Sequence, residues 1–175
     1  MKTEGMQADL EGLYDEHAQA LFAFLLNFTR DEDDTRDVLQ EVFVKLAQQP
    51  ELLGGVRDER AFLLRLARNA AIDLMRRRVA RDKHHDQFGA DAETLSPFAP
   101  ADDPDEQAFR AQLADALGEL PPEQRAVVHL KLWESLTFEQ IAAALDIPMN
   151  TAASRYRYGL DKLRERLRPI YEEIK

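Results

Sequence analysis

Leu10, Leu13, Tyr14, Ala18, Leu21, Leu25 and Phe28 recur at steps of three and four residues. That spacing lines one face of a helix and no face of a strand, where side chains alternate with period two. It predicts an amphipathic helix over residues 8–28. The same period returns in Val38, Leu39, Val42, Phe43 and Leu46, behind the run RDEDD at 30–34. Acidic residues suit a helix N-terminus, and Pro50 with the Gly54–Gly55 pair supplies the stop. A third helix is expected from about Asp58 to Arg81. No window shows strand alternation with turn punctuation, so the fold class expected is all-α.

From His84 to about Gln107 the text changes to HHDQFGADAETLSPFAPADDPDEQ, with three prolines, one glycine and many acids. Such a segment cannot bury enough apolar surface to pack, and it is read as an acidic flexible linker. Helical periodicity resumes in AFRAQLADALGEL, and Pro121–Pro122 opens a further helix, since proline is tolerated in a first turn. The expected organisation is therefore two small helical domains, residues 1–83 and 108–175, joined by residues 84–107. A chain of 175 residues can bury one ordinary core or two small ones. It holds no apolar run long enough to span a membrane, and its first residues lack a signal-peptide pattern. A cytoplasmic location without membrane insertion is expected. The chain has no cysteine, which removes disulfides, thiolate metal sites and thiol nucleophiles.

The formal charge of -10 looks hostile to nucleic acid, but it is unevenly spread. Residues 57–83 hold nine basic residues against four acidic, and residues 155–168 hold six against two. The acid lies in residues 1–56 and 84–120. Potential within a Debye length, rather than the total, decides what docks where. Two basic patches imply two binding surfaces.

In the C-terminal half, Thr137 and Gln140 have capping-box spacing for a short helix with Ile141, Ala142 and Leu145 inward. Asp146 stands where a left-handed turn residue is needed. Asn150 is placed to cap the next helix, with Ala152, Tyr156, Gly159, Leu160, Leu163 and Leu167 inward. Thr151, Ala153, Ser154, Arg155, Arg157 and Tyr158 are left outward or flanking. Helix, short turn, helix with polar N-terminal residues fits a helix-turn-helix whose second helix enters the major groove. A plain helical hairpin with a solvated basic face fits the same spacing.

In the first basic patch, Arg65, Asn69, Asp73 and Arg76 fall at steps of four, four and three, and Arg77 and Arg78 prolong the stripe. Leu63, Leu66, Ala70 and Leu74 form the opposite stripe. Arginine serves phosphates and asparagine can bond base edges, although a solvated helix face shares the pattern. Phe62 could stack a base but is better read as core. No catalytic constellation is visible, so the chain is not read as an enzyme, and no cofactor is implied. His84–His85 with Asp86 cannot easily share a closed metal site. His17 and His129 are read as structural, and DEDD at 31–34 as a charged helix start.

Three stretches in this order, DVLQEVFVKL (37–46), RAFLLRLARNAAIDLMRRR (60–78) and LPPEQRAVVHLKLWESLTFEQIAAALDIPMNTAASRYR (120–157), resemble the extracytoplasmic-function (ECF) subgroup of bacterial sigma factors. The resemblance covers nearly the whole chain except the linker and the ends. It implies a transcription initiation factor that binds core RNA polymerase and directs it to promoter DNA. Residues 1–83 would be a region 2-like domain and 108–175 a region 4-like domain. The resemblance places the polymerase-docking face on Asp37, Gln40 and Glu41, with Arg36 beside them, and leaves Phe43 to the core. It places capture of a flipped-out -10 base in the loop from about Gln48 to Arg57. Grip on the -10 element falls to Asn69, Asp73 and Arg76–Arg78, continuing the Arg65 stripe. Reading of the -35 element falls to Thr151, Ser154, Arg155 and Arg157.

The chain departs from the family where NTAASR stands for the commoner GTVKSR. Ala153 replaces a lysine, Asn150 a glycine, and Tyr158 a frequent basic residue, so fewer -35 contacts are expected. The family is usually restrained by an anti-sigma factor, often membrane-linked, and one is expected here. The competing reading is a free-standing helix-turn-helix regulator whose first domain dimerises and which does not bind polymerase.

Overall fold

The computed structural model describes residues 3–82 and 103–173. Every regular element among them is helical, and the chain divides into two compact units, Met1–Asp91 and Ala92–Lys175. The greater part of the expected linker, residues 84–102, lies outside the described residues, as do His84–His85 and Asp86.

The first unit packs three helices, α1 (Thr3–Thr29), α2 (Glu32–Gln48) and α3 (Glu59–Asp82), each against the other two. α1 starts five residues before the expected 8, because an apolar stripe marks the packed part of a helix and not its full length. Leu13, Leu21, Phe24, Leu25, Leu26 and Phe28 of α1 are buried, nearly all round the last two turns, as a helix flanked by two partners requires. α2 is capped by Asp31, whose side chain accepts from the Asp34 N–H at 2.8 Å. Its buried stripe contains Val38, Leu39, Val42, Phe43 and Leu46, and Phe43 meets Tyr14 edge-on with ring centroids 4.9 Å apart. A 3-10 turn at Pro50–Leu53 and Gly55 at φ 79° lead to Asp58, whose Oδ1 accepts from the Ala61 N–H at 2.9 Å. In α3 the inward stripe is Ala61, Leu63, Leu64, Ala67 and Ala71, whereas Leu66, Ala70 and Leu74 are only half-buried. The correction has a packing cause. Small Ala67 and Ala71 let α3 approach its neighbours closely, and leucine count alone does not register them.

The second unit contains α4 (Pro104–Glu119), α5 (Pro122–Leu132), α6 (Phe138–Leu145) and α7 (Met149–Glu173). α4 begins inside the stretch expected to be linker. Asp103 caps it by accepting from the Asp105 N–H at 3.0 Å, with Pro104 and the acids Asp105 and Glu106 in the first turn. The acid-and-proline composition taken as unfolded there is a helix start. Buried Arg125 donates from Nη2 to the carbonyls of Gly118 and Leu120, both at 2.9 Å, which satisfies the end of α4. α7 crosses α5 at Gly159, where a Cβ would lie 2.7 Å from Val128 Cγ2.

Candidate nucleic-acid and protein interfaces

In the first unit, the four α2 residues expected to dock a protein are all exposed: Arg36, Asp37, Gln40 and Glu41. They stand off the buried Val38–Val42–Leu46 stripe, which fixes them on the outer face. Arg36 is partly committed locally, pairing with Glu32 and reaching Asp33 at 3.5 Å. Arg65, Asn69, Asp73 and Arg76 of α3 are likewise exposed along one stripe. Phe62 is half-buried, with the Arg65 guanidinium 5.8 Å from its ring centroid.

Arg77 and Arg78 are exposed too, but they are tied back to α2. Arg77 Nη2 lies 3.7 Å from Glu41 Oε2, and Arg78 pairs with Asp34. The structure thus brings the expected docking face and the expected DNA stripe together at Glu41 and Arg77. Asp34 is a residue that sequence reasoning passed over. It lies four residues before Val38 and eight before Val42, so the buried stripe itself pointed to it. Burial pushes its carboxyl above the ordinary value of 3.8; Arg78 pulls it back, and Asp31 and Asp37 add to the rise.

In the second unit, Thr137 Oγ1 accepts from the Gln140 N–H at 3.1 Å, and the Gln140 side chain accepts from the Thr137 N–H at 2.9 Å. The capping box starts α6 in register to bury Ile141, Ala144 and Leu145. Ala144 takes the inward place expected of Ala142, which is half-buried. Asp146 adopts the left-handed conformation, φ 54° and ψ 52°, and the three-residue turn Asp146–Pro148 leads into α7. α7 starts at Met149, so Asn150 is helical and does not cap it; the Pro148 carbonyl accepts the Thr151 and Ala152 N–H groups instead. Ala152, Gly159 and Leu163 are buried, and Tyr156 packs edge-on to Phe138 at 5.6 Å. This is a helix-turn-helix. Thr151, Ser154 and Arg155 are half-buried at its second helix and Arg157 is exposed. The Ser154 hydroxyl donates to the Asn150 carbonyl at 2.8 Å, while Arg155 makes no ion pair among the described residues. An apolar groove of about 670 Å³ opens elsewhere on this unit, lined by Phe109, Leu113, Leu132, Leu160, Leu163 and Leu167. It also went unread, because each residue fits a core stripe when taken alone.

His129 is buried beside Glu134, Nε2 to Oε1 3.7 Å, and stacks on Trp133. His17 is half-buried next to Glu16. Among the described residues no group of three or more His, Asp or Glu could hold a metal ion, and no helix is long and apolar enough to cross a membrane.

Two helical units, one with an exposed arginine stripe and the other with a helix-turn-helix, define a DNA-binding transcription protein. Residues 13–81 match the family model for sigma-70 region 2, and residues 116–165 that for sigma-70 region 4. The chain is 35% identical over 163 residues to the ECF RNA polymerase sigma factor SigL of Mycobacterium tuberculosis, covering 92% of this chain and 90% of that one. It is 30% identical to the RNA polymerase sigma factor CarQ of Myxococcus xanthus, covering 98% and 96%. Its fold matches that of the sigma factor RpoE of Bartonella quintana, solved with the anti-sigma factor NepR, at TM-score 0.75 and 22% identity over 94% of this chain and 98% of that chain. The structure of CnrH with the cytosolic domain of CnrY matches at TM-score 0.69 and 23% identity, over 95% and 92%. The chain belongs to the ECF sigma factors. It is a transcription initiation factor that binds core RNA polymerase and directs it to promoter DNA. Sigma factors are initiation factors rather than catalysts, and the free-standing regulator is not favoured.

Proposed function

We propose the following division of labour within that function. The outer face of α2, Arg36, Asp37, Gln40 and Glu41, docks on polymerase. The α3 stripe, Arg65, Asn69, Asp73 and Arg76–Arg78, grips the -10 element, and the loop from Gln48 to Arg57 receives a flipped base. Thr151, Ser154, Arg155 and Arg157 of α7 read the -35 element. Residues 1–83 and 108–175 act as the two functional domains. The protein works in the cytoplasm, where polymerase and chromosome are, and an anti-sigma factor restrains it; in support, the similarly folded RpoE was solved in complex with the anti-sigma factor NepR.

The observation that carries this reading is the separation of faces on α2. Its apolar stripe is buried while Asp37, Gln40 and Glu41 stay exposed beside the arginines of α3. Asp37→Arg combined with Glu41→Arg should abolish binding to core polymerase and leave the thermal unfolding transition in place, because both residues are exposed. Normal core binding by the double variant, or loss of its fold, would remove the docking assignment.

A further inference from the structure

α7 carries a large aromatic ring on its solvent side. Tyr158 is 51% exposed, in contrast to Tyr156, whose ring packs on Phe138. The ring of Tyr158 is engaged by its neighbour: the Arg157 guanidinium lies over it at 5.1 Å from the centroid, and Arg157 Nη2 donates to the phenol oxygen at 3.5 Å. Thr151, Arg155, Tyr158 and Lys162 follow at steps of four, three and four, so Tyr158 shares the flank of α7 that bears Arg155.

A guanidinium held over a ring, with one Nη2 contact to the phenol oxygen, keeps its remaining N–H donors for another partner. Stacking also removes part of the rotamer freedom that a long arginine would otherwise lose on binding. Fixed orientation discriminates less at a phosphate, which is the same at every base pair, than at a base edge. It matters for the two-pronged contact to guanine O6 and N7. We propose that Tyr158 is a positioning residue for upstream promoter recognition, holding Arg157 so that its free edge meets a guanine in the major groove. The proposal rests on the reading of α7 as the -35 helix. It gives Tyr158 a task at a position where a basic side chain is frequent in the family: the ring organises a neighbouring cation in place of carrying one.

The test uses holoenzyme reconstituted with the full chain and a set of promoters carrying every single-base change in the upstream element. Arg157→Ala should cut discrimination at one guanine by about fivefold or more. Tyr158→Ala should cut it at the same base pair by about two- to fivefold, the size of an exposed cation–π contact. The double variant should be no worse than Arg157→Ala, and Tyr158→Phe should keep most of the discrimination because the ring remains. The salt dependence should be unchanged in Tyr158→Ala, which removes no charge. A uniform loss across the set, a different base pair, or full additivity with Arg157→Ala would overturn the proposal. Scrambling the upstream element and substituting Arg155→Ala test the underlying reading separately. If wild-type holoenzyme binds the scrambled promoter as well as the intact one, and the Arg155→Ala holoenzyme binds the intact promoter as well as wild type does, α7 is not the -35 reader and the proposal falls with it.

Discussion

Individual side chains in this protein separate by whether their charge is already answered within the chain. Arg155 is half-buried and makes no ion pair among the described residues, so no carboxylate of the chain answers its charge. Arg155→Ala should lower promoter output in run-off transcription and alter the penalty for particular -35 substitutions by about 1–3 kcal/mol. A uniform loss with a shallower salt slope would instead assign it to phosphate. Asp34 is the opposite case, a buried carboxylate answered by Arg78. Its folded-state pKa is raised, chiefly by burial, so protonation favours the folded state. The stability it contributes is full below the ordinary carboxylate value and is lost as pH rises through the raised one. At neutral pH its ionised form therefore opposes folding. Asp34→Asn can still accept from Arg78, and it should melt at or a little above wild type at pH 7. The two should converge as pH falls toward about 4. Clearly weaker melting of Asp34→Asn at pH 7 would show that the ion pair outweighs desolvation.

At the scale of elements, the helix-turn-helix depends on one turn and one crossing. Asp146 holds a left-handed backbone that a residue with a Cβ adopts at a cost. Asp146→Gly should stabilise the second unit by about 0.5–1 kcal/mol, read as a higher urea midpoint at unchanged slope. The crossing of α5 and α7 has no room at Gly159, because Val128 is fully buried and stiff at χ1. Gly159→Val should cost about 2–3 kcal/mol by overpacking. It should weaken upstream recognition as well, since α7 can relieve the clash only by moving away from α5. Stability equal to wild type would show that the crossing yields.

Across the whole molecule, the acidic total and the basic surfaces have to coexist. Docking on polymerase delivers both DNA-facing units, while the acidic stretches repel free DNA. Free protein should bind promoter duplex weakly at near-physiological salt, and holoenzyme should bind the same duplex specifically and melt it. Fluorescence anisotropy of both species measures the difference. Tight, sequence-specific binding by the free protein would contradict this account.

Helix type, the buried stripe of α2 and the capping box of α6 were legible in the amino-acid order, because each is a local matter. Periodicity selects a face, and Thr137 with Gln140 satisfies N–H groups within one turn. Exposure of Asp37, Gln40 and Glu41 followed from the same periodicity. What only the tertiary structure decided depends on which residues distant in sequence become neighbours. Asp34 and Arg78 are 44 positions apart, and their pairing, like that of Glu41 with Arg77, exists only once α2 and α3 pack. Ala67 and Ala71 are core because two helices close on them, and Gly159 is required because Val128 faces it. The start of α4 was misread for a related reason: acid and proline describe both an unpacked segment and a helix N-terminus, and burial further along α4, at Ala114, Ala116 and Leu117, decides between them.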